Sequence, residues 1–133
     1  MTVAESIEAE GRVLAFVIRA HAETTATTFV TSPEMNFQAG FIVHPQGHKI
    51  PRHRHPAIRR EVAGTAEALL VRRGRCRVDF YDGQERPVTS RELRAGDVMV
   101  LLSGGHGFEM LEDTVLLEIK QGPYTAASDK ERF

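Results

Sequence analysis

The sequence predicts an all-β domain, a sandwich or a barrel, on three observations. Short runs of β-branched and aromatic residues recur along the whole chain. Turn signals separate them: His44-Pro45-Gln46-Gly47, Arg73-Gly74, Asp82-Gly83 and Ser103-Gly104-Gly105. Helical periodicity is nearly absent, with Ala4–Glu10 alone reading as weakly helical and Ser90–Leu93 as a short turn. Many short strands at this spacing are the pattern of sandwiches and barrels.

The elements follow in order. Arg12–Ile18 is a strong β-forming run, and Thr27–Thr31 is a second. Phe37–Val43 is a third and ends at the His44–Gly47 turn. His53 and His55 sit two apart in a stretch read as extended, so alternation puts both imidazoles on one side. Pro51 argues against a helix there. Glu67–Arg72 is the next strand, broken at Arg73-Gly74. Arg75–Asp82 then alternates, with Cys76, Val78 and Phe80 on one face and Arg75, Arg77, Asp79 and Tyr81 on the other. Val98–Leu102, His106–Leu111 and Val115–Lys120 complete the set, and a polar tail, Ser128–Arg132, ends in Phe133.

A length of 133 residues fits one domain, taken as 1–133. With 17 basic against 18 acidic residues, no global charge points to nucleic acid or an anionic membrane. Trp is absent and Tyr occurs twice, which leaves few platforms for stacking bases. A single cysteine, Cys76, excludes an internal disulfide and a thiolate cluster, and its alternation with Val78 and Phe80 makes it a small buried hydrophobe. The acidic N-terminus, with Glu5, Glu8 and Glu10, lacks the basic region of a signal peptide. No apolar run approaches the roughly 20 residues of a membrane span. The expected setting is cytoplasmic.

Chemistry concentrates in His53, His55, Glu67 and His106. Glu67 shares parity with Leu69 and Val71, so it points into the core if they do, and a lone inward carboxylate is costly unless paired or bound to a cation. His106 shares a face with Phe108 and Met110 in the same way. Three imidazoles and one carboxylate would hold one divalent cation with two positions open. The donor set suits iron, manganese, nickel, zinc or copper alike. The alternative is that the histidines lie at the surface and Glu67 is a solvated edge residue.

Gly47, His53-Arg54-His55, Glu67 and Gly74 together resemble the first cupin motif, and Gly96-Asp97 with Leu102-Ser103-Gly104-Gly105-His106 resembles the second. The motif core spans residues 47–106. The resemblance implies a double-stranded β-helix (a jelly-roll barrel) with His53, His55, Glu67 and His106 as ligands of one divalent metal. It departs from the common pattern twice. Residues 56–66 lengthen the gap between His55 and Glu67 and are read as an extended loop at the barrel mouth. In the second motif Leu102 replaces the usual Pro, and His106 comes one residue early. Glu61 is a rival for the carboxylate, but its spacing to Gly74 does not fit. A narrower resemblance runs through Gly104–Glu109, Leu111–Asp113, Lys120–Tyr124 and Asp129–Phe133, to small single-domain bacterial cupins found among genes for surface-polysaccharide and sugar-nucleotide synthesis. It brings no assigned reaction.

Other residues carry two readings each. Arg59 and Arg60 either clamp a carboxylate or phosphate of a substrate or belong to a solvated loop. Lys120, which shares its strand face with Glu118, either reaches the pocket or belongs to a polar pair across strands. His44, His48 and His21 read as turn or surface residues, and Tyr81 and Tyr124 as acid–base groups only if they reach the cavity.

The function expected is that of a cupin-fold metalloprotein, a metal-dependent enzyme acting on a small polar metabolite such as a sugar derivative. Isomerase, dioxygenase and hydrolase chemistry all fit this site. The alternative is a non-catalytic binding protein. A homodimer is expected, paired through Arg12–Ile18 as an exposed edge.

Overall fold

A computed structural model describes residues 3–133. Among them are ten strands and no helix: β1 (Glu5–Ala9), β2 (Arg12–Ile18), β3 (Thr28–Phe29), β4 (Gly40–Phe41), β5 (Glu67–Arg73), β6 (Arg75–Tyr81), β7 (Pro87–Arg94), β8 (Val98–Leu101), β9 (Gly105–Met110) and β10 (Val115–Lys120). A five-stranded sheet runs β1-β2-β8-β5-β10 and a three-stranded sheet runs β7-β6-β9, every pairing antiparallel; β3 and β4 form a two-residue ladder of their own. The all-β expectation holds at this level. No helix among the described residues is long and apolar enough to cross a membrane.

Both sheets contribute to one core. Leu69 and Val71 of β5 and Met99 and Leu101 of β8 come from the larger sheet; Cys76, Val78 and Phe80 of β6 and Leu93 of β7 come from the smaller. The alternation read in β6 is therefore the core face. In β2 both Leu14 and Ala15 are buried in the core, although neighbours on a strand normally face opposite ways. The register explains this: Ile7 pairs with Ala15 and Glu8 with Val13, so Leu14 is the extra residue of a bulge.

Two turns hold the layers in place. Gly74, between β5 and β6, has φ +95°, and a Cβ there would overlap the carbonyl of Asp113 and the backbone of Thr114. The Thr114 hydroxyl ties the same spot, accepting from the Arg75 N–H and donating to the Arg75 carbonyl, 3.1 Å each. Between β7 and β8, buried Asp97 accepts from the N–H groups of Ala20 (2.9 Å) and Arg94 (2.8 Å) and from the Arg19 guanidinium (3.0 Å). It thereby fastens the end of β2 to this turn.

Several expectations are corrected. Ala4–Glu10 is not helical. Its residues pair with β2 and bury Ile7, and that ladder outweighs the helix preference of Ala and Glu. Ser90–Leu93 is no turn but lies inside β7, where Leu93 is buried. Arg12–Ile18 is not an edge, because β1 covers one side of it and β8 the other. The runs at Thr27–Thr31 and Phe37–Val43 shrink to β3 and β4. The largest difference concerns the histidine pair. Residues 44–65 are all exposed and pair with no strand, so His53 and His55 lie on an open arm between β4 and β5. Pro51 and Pro56 flank the pair and remove ladder donors on both sides.

Candidate functional site at the seam between the sheets

Glu67 opens β5, where the ladder sets it opposite Leu101 of β8 on one side and Lys120 of β10 on the other. Its partners along the strand, Leu69 and Val71, are core residues, so its carboxylate points inward, with 14% of the side chain exposed. His106 on β9 sits opposite buried Phe80 of β6 and points inward from the other sheet. The two meet across the seam: His106 Nε2 lies 3.2 Å from Glu67 Oε1, with the imidazole N–H donating to the carboxylate.

The hydrogen bond from His106 holds the Glu67 carboxyl down to about 2, against the opposing effect of burial. Glu118, one pair along the ladder on the same face, behaves in the opposite sense. Its carboxyl is pushed up because it shares a hydrogen bond with Glu67, and burial adds to the rise. Of the two acids, Glu67 carries the charge and Glu118 holds its proton more tightly than a free glutamate. The Lys120 ammonium is pushed up by its bond to Asp129 at 3.1 Å and stands 3.8 Å from Glu118.

The C-terminal segment crosses the same seam. Gln121 N–H donates to the Ala66 carbonyl, Asp129 holds Lys120, and the Tyr124 ring lies under the Lys120 ammonium at 4.8 Å. At its end, Phe133 packs edge-on against Tyr81 with ring centroids 5.1 Å apart, and its ring fills the space that a Cβ on Gly105 would need. One anchor thus lands opposite Glu67 and the other beside His106.

The four expected ligands divide into two pairs. Glu67 and His106 meet as described. On the arm, His53 and His55 lie with ring centroids 5.3 Å apart, and His53 Nδ1 is 2.8 Å from the Pro51 carbonyl. Among the described residues no three His, Cys, Asp or Glu side chains converge on one point, so the fourfold convergence expected from the sequence is not the arrangement seen. The physical reason is the missing strand, since without a ladder nothing aims the two imidazoles at the seam. Arg59 and Arg60 are exposed on the same arm, and Lys120 is engaged by Asp129, Glu118 and Tyr124. Phe133 does tie the polar tail down, as the sequence allowed, whereas sequence reasoning missed the Asp129–Lys120 pair, since the tail carries no periodic signal. It also missed the coupling of Glu118 to Glu67, which depends on the β5–β10 register. No protein-family model, curated protein or solved structure matches this chain.

Proposed function

We propose that this chain is a cupin-fold metalloprotein whose two sheets are the halves of a double-stranded β-helix, and that it acts on a small polar metabolite such as a sugar derivative. The Glu67–His106 contact carries this reading. Once the Nε2 proton between them is displaced, two donor atoms each about 2.1 Å from one cation and at right angles to each other would stand about 3 Å apart, close to the 3.2 Å between His106 Nε2 and Glu67 Oε1. The donor set, one anionic oxygen and one imidazole facing each other across an inward-pointing pair, fits a divalent iron, manganese, nickel or zinc ion. His53 and His55 would complete the set from the arm.

The metal would supply a Lewis acid to polarise a substrate carbonyl or hydroxyl. The protein's own part is legible in the seam. Glu67 provides a fixed negative charge, and His106 holds that carboxylate in place across the seam. Glu118, next on the same face, shares a hydrogen bond with Glu67 that raises its own carboxyl and helps hold Glu67 ionised. The buried floor of Leu101 and Phe80 limits water below the pair. Isomerisation, oxygen-dependent cleavage and hydrolysis are all compatible with these parts.

The test is elemental analysis of untagged protein beside Glu67→Gln, His106→Ala and His53→Ala. Near-stoichiometric metal in the wild type, lost in the first two variants and weakened in the third, is the expected result. A wild-type protein that stays empty after incubation with each metal sinks the proposal. The division of the ligands into two pairs favours one other reading, a non-catalytic binding protein. Turnover of any metabolite panel member would exclude it.

A homodimer forms part of the proposal, through a different edge from the one expected. β10 is an edge strand whose outward Val115, Leu117 and Ile119 are all exposed. Light scattering is expected to give a dimer for the wild type and a monomer for Leu117→Lys; a dimer in both rules out this edge.

A further inference from the structure

The chain's cations fall into two populations. Outside residues 44–65 there are twelve Lys and Arg against seventeen Asp and Glu. Seven of those twelve, Arg19, Arg75, Arg77, Arg86, Arg91, Arg94 and Lys120, are ion-paired. Within the arm there are five cations, Lys49, Arg52, Arg54, Arg59 and Arg60, against one carboxylate, Glu61. Among the described residues none of these five makes an ion pair, and all are exposed.

We infer that the arm at residues 44–65 is an anion-binding element that recruits a substrate bearing phosphate or diphosphate to the seam. This rests on the proposed function, since the arm ends two residues before Glu67 and carries His53 and His55 between its arginines. Mutual repulsion makes five unpaired cations on one short arm unfavourable without a counter-charge, so an anionic partner gains more there than on the paired body. Four of the five are arginines, whose planar fork takes two phosphate oxygens at once. The count of cations calls for a ligand with more than one negative charge, which a diphosphate supplies. An extended nucleic acid fits poorly. The arm holds no Phe, Tyr or Trp to stack on, and the body beside it carries a net excess of five carboxylates that would repel a long polyanion.

The test is calorimetric titration of the full-length, metal-stripped protein with inorganic pyrophosphate, with citrate and a single-stranded oligonucleotide as comparison ligands. Two double variants are compared, Arg59→Gln/Arg60→Gln on the arm and Arg72→Gln/Arg73→Gln on the body, where the native arginines are also exposed and unpaired. Pyrophosphate is expected to bind the wild type more tightly than citrate. The arm variant should weaken it about tenfold and the body variant less than about twofold. Equal losses in both variants would reduce the effect to net charge and overturn the inference. Citrate binding as tight as pyrophosphate, tighter oligonucleotide binding, or no pyrophosphate binding would overturn it as well. Metal content is measured on the same samples before stripping, so a wild type that carries its metal but binds no pyrophosphate refutes this inference and leaves the metalloprotein reading standing.

Discussion

Glu67 owes its charge state to one neighbour. A carboxyl held at about 2 in the folded protein, against 4.5 when free, contributes stability that is full above the unfolded value and is lost as the pH falls towards 2. Denaturant unfolding across that window is expected to show the wild type losing on the order of 1–2 kcal/mol more than Glu67→Gln; parallel curves would mean that the His106 contact does not persist in solution. Asp97 is a second residue whose role is local and strong. Asp97→Ala removes an acceptor from two backbone N–H groups and from Arg19, at a cost of about 3 kcal/mol, read as a lower denaturation midpoint. At this scale the sequence was informative where parity decides, as for Glu67 and Cys76; for His106 the shared face holds with Phe108, whereas Met110, expected in the core, is exposed. The sequence was silent where a partner comes from elsewhere in the chain, as Glu118 does from β10 and Asp129 from the tail.

Strand pairing decides which segments keep their propensity. Ala4–Glu10 has the composition of a helix and becomes β1 because β2 offers it a ladder and a place for Ile7, neither visible in a local window. The stretch around His53 and His55 has the alternation of a strand and becomes an open arm because no neighbour pairs with it. Five of the six strands from β5 to β10 were legible, most of their turns marked by glycine (the β9–β10 turn has none); the exception is β7, where Ser90–Leu93 read as a turn. The Arg73-Gly74 break illustrates why such turns are reliable, since only glycine fits where the backbone turns against Asp113 and Thr114. Gly74→Ala is expected to cost about 2 kcal/mol or more, with a lower melting temperature in calorimetry. An unchanged melting temperature would show that the Asp113–Thr114 turn gives way freely.

For the molecule as a whole, one core links two sheets, and Cys76 lies fully inside it. Burial also pushes its thiol up, so alkylation should need global unfolding. Labelling with iodoacetamide across a denaturant series is expected to follow the main unfolding transition; rapid labelling of the native protein would mean the sheets separate locally.

The tail that spans the seam gives the molecule an optical property. With no tryptophan and two tyrosines, all of its intrinsic emission comes from Tyr81 and Tyr124, and both rings lie at the tail's anchors, one against Phe133 and the other under Lys120. The fluorescence of the unmodified protein is thus a built-in readout of whether the tail is docked at Lys120 and Tyr81, available without any added dye.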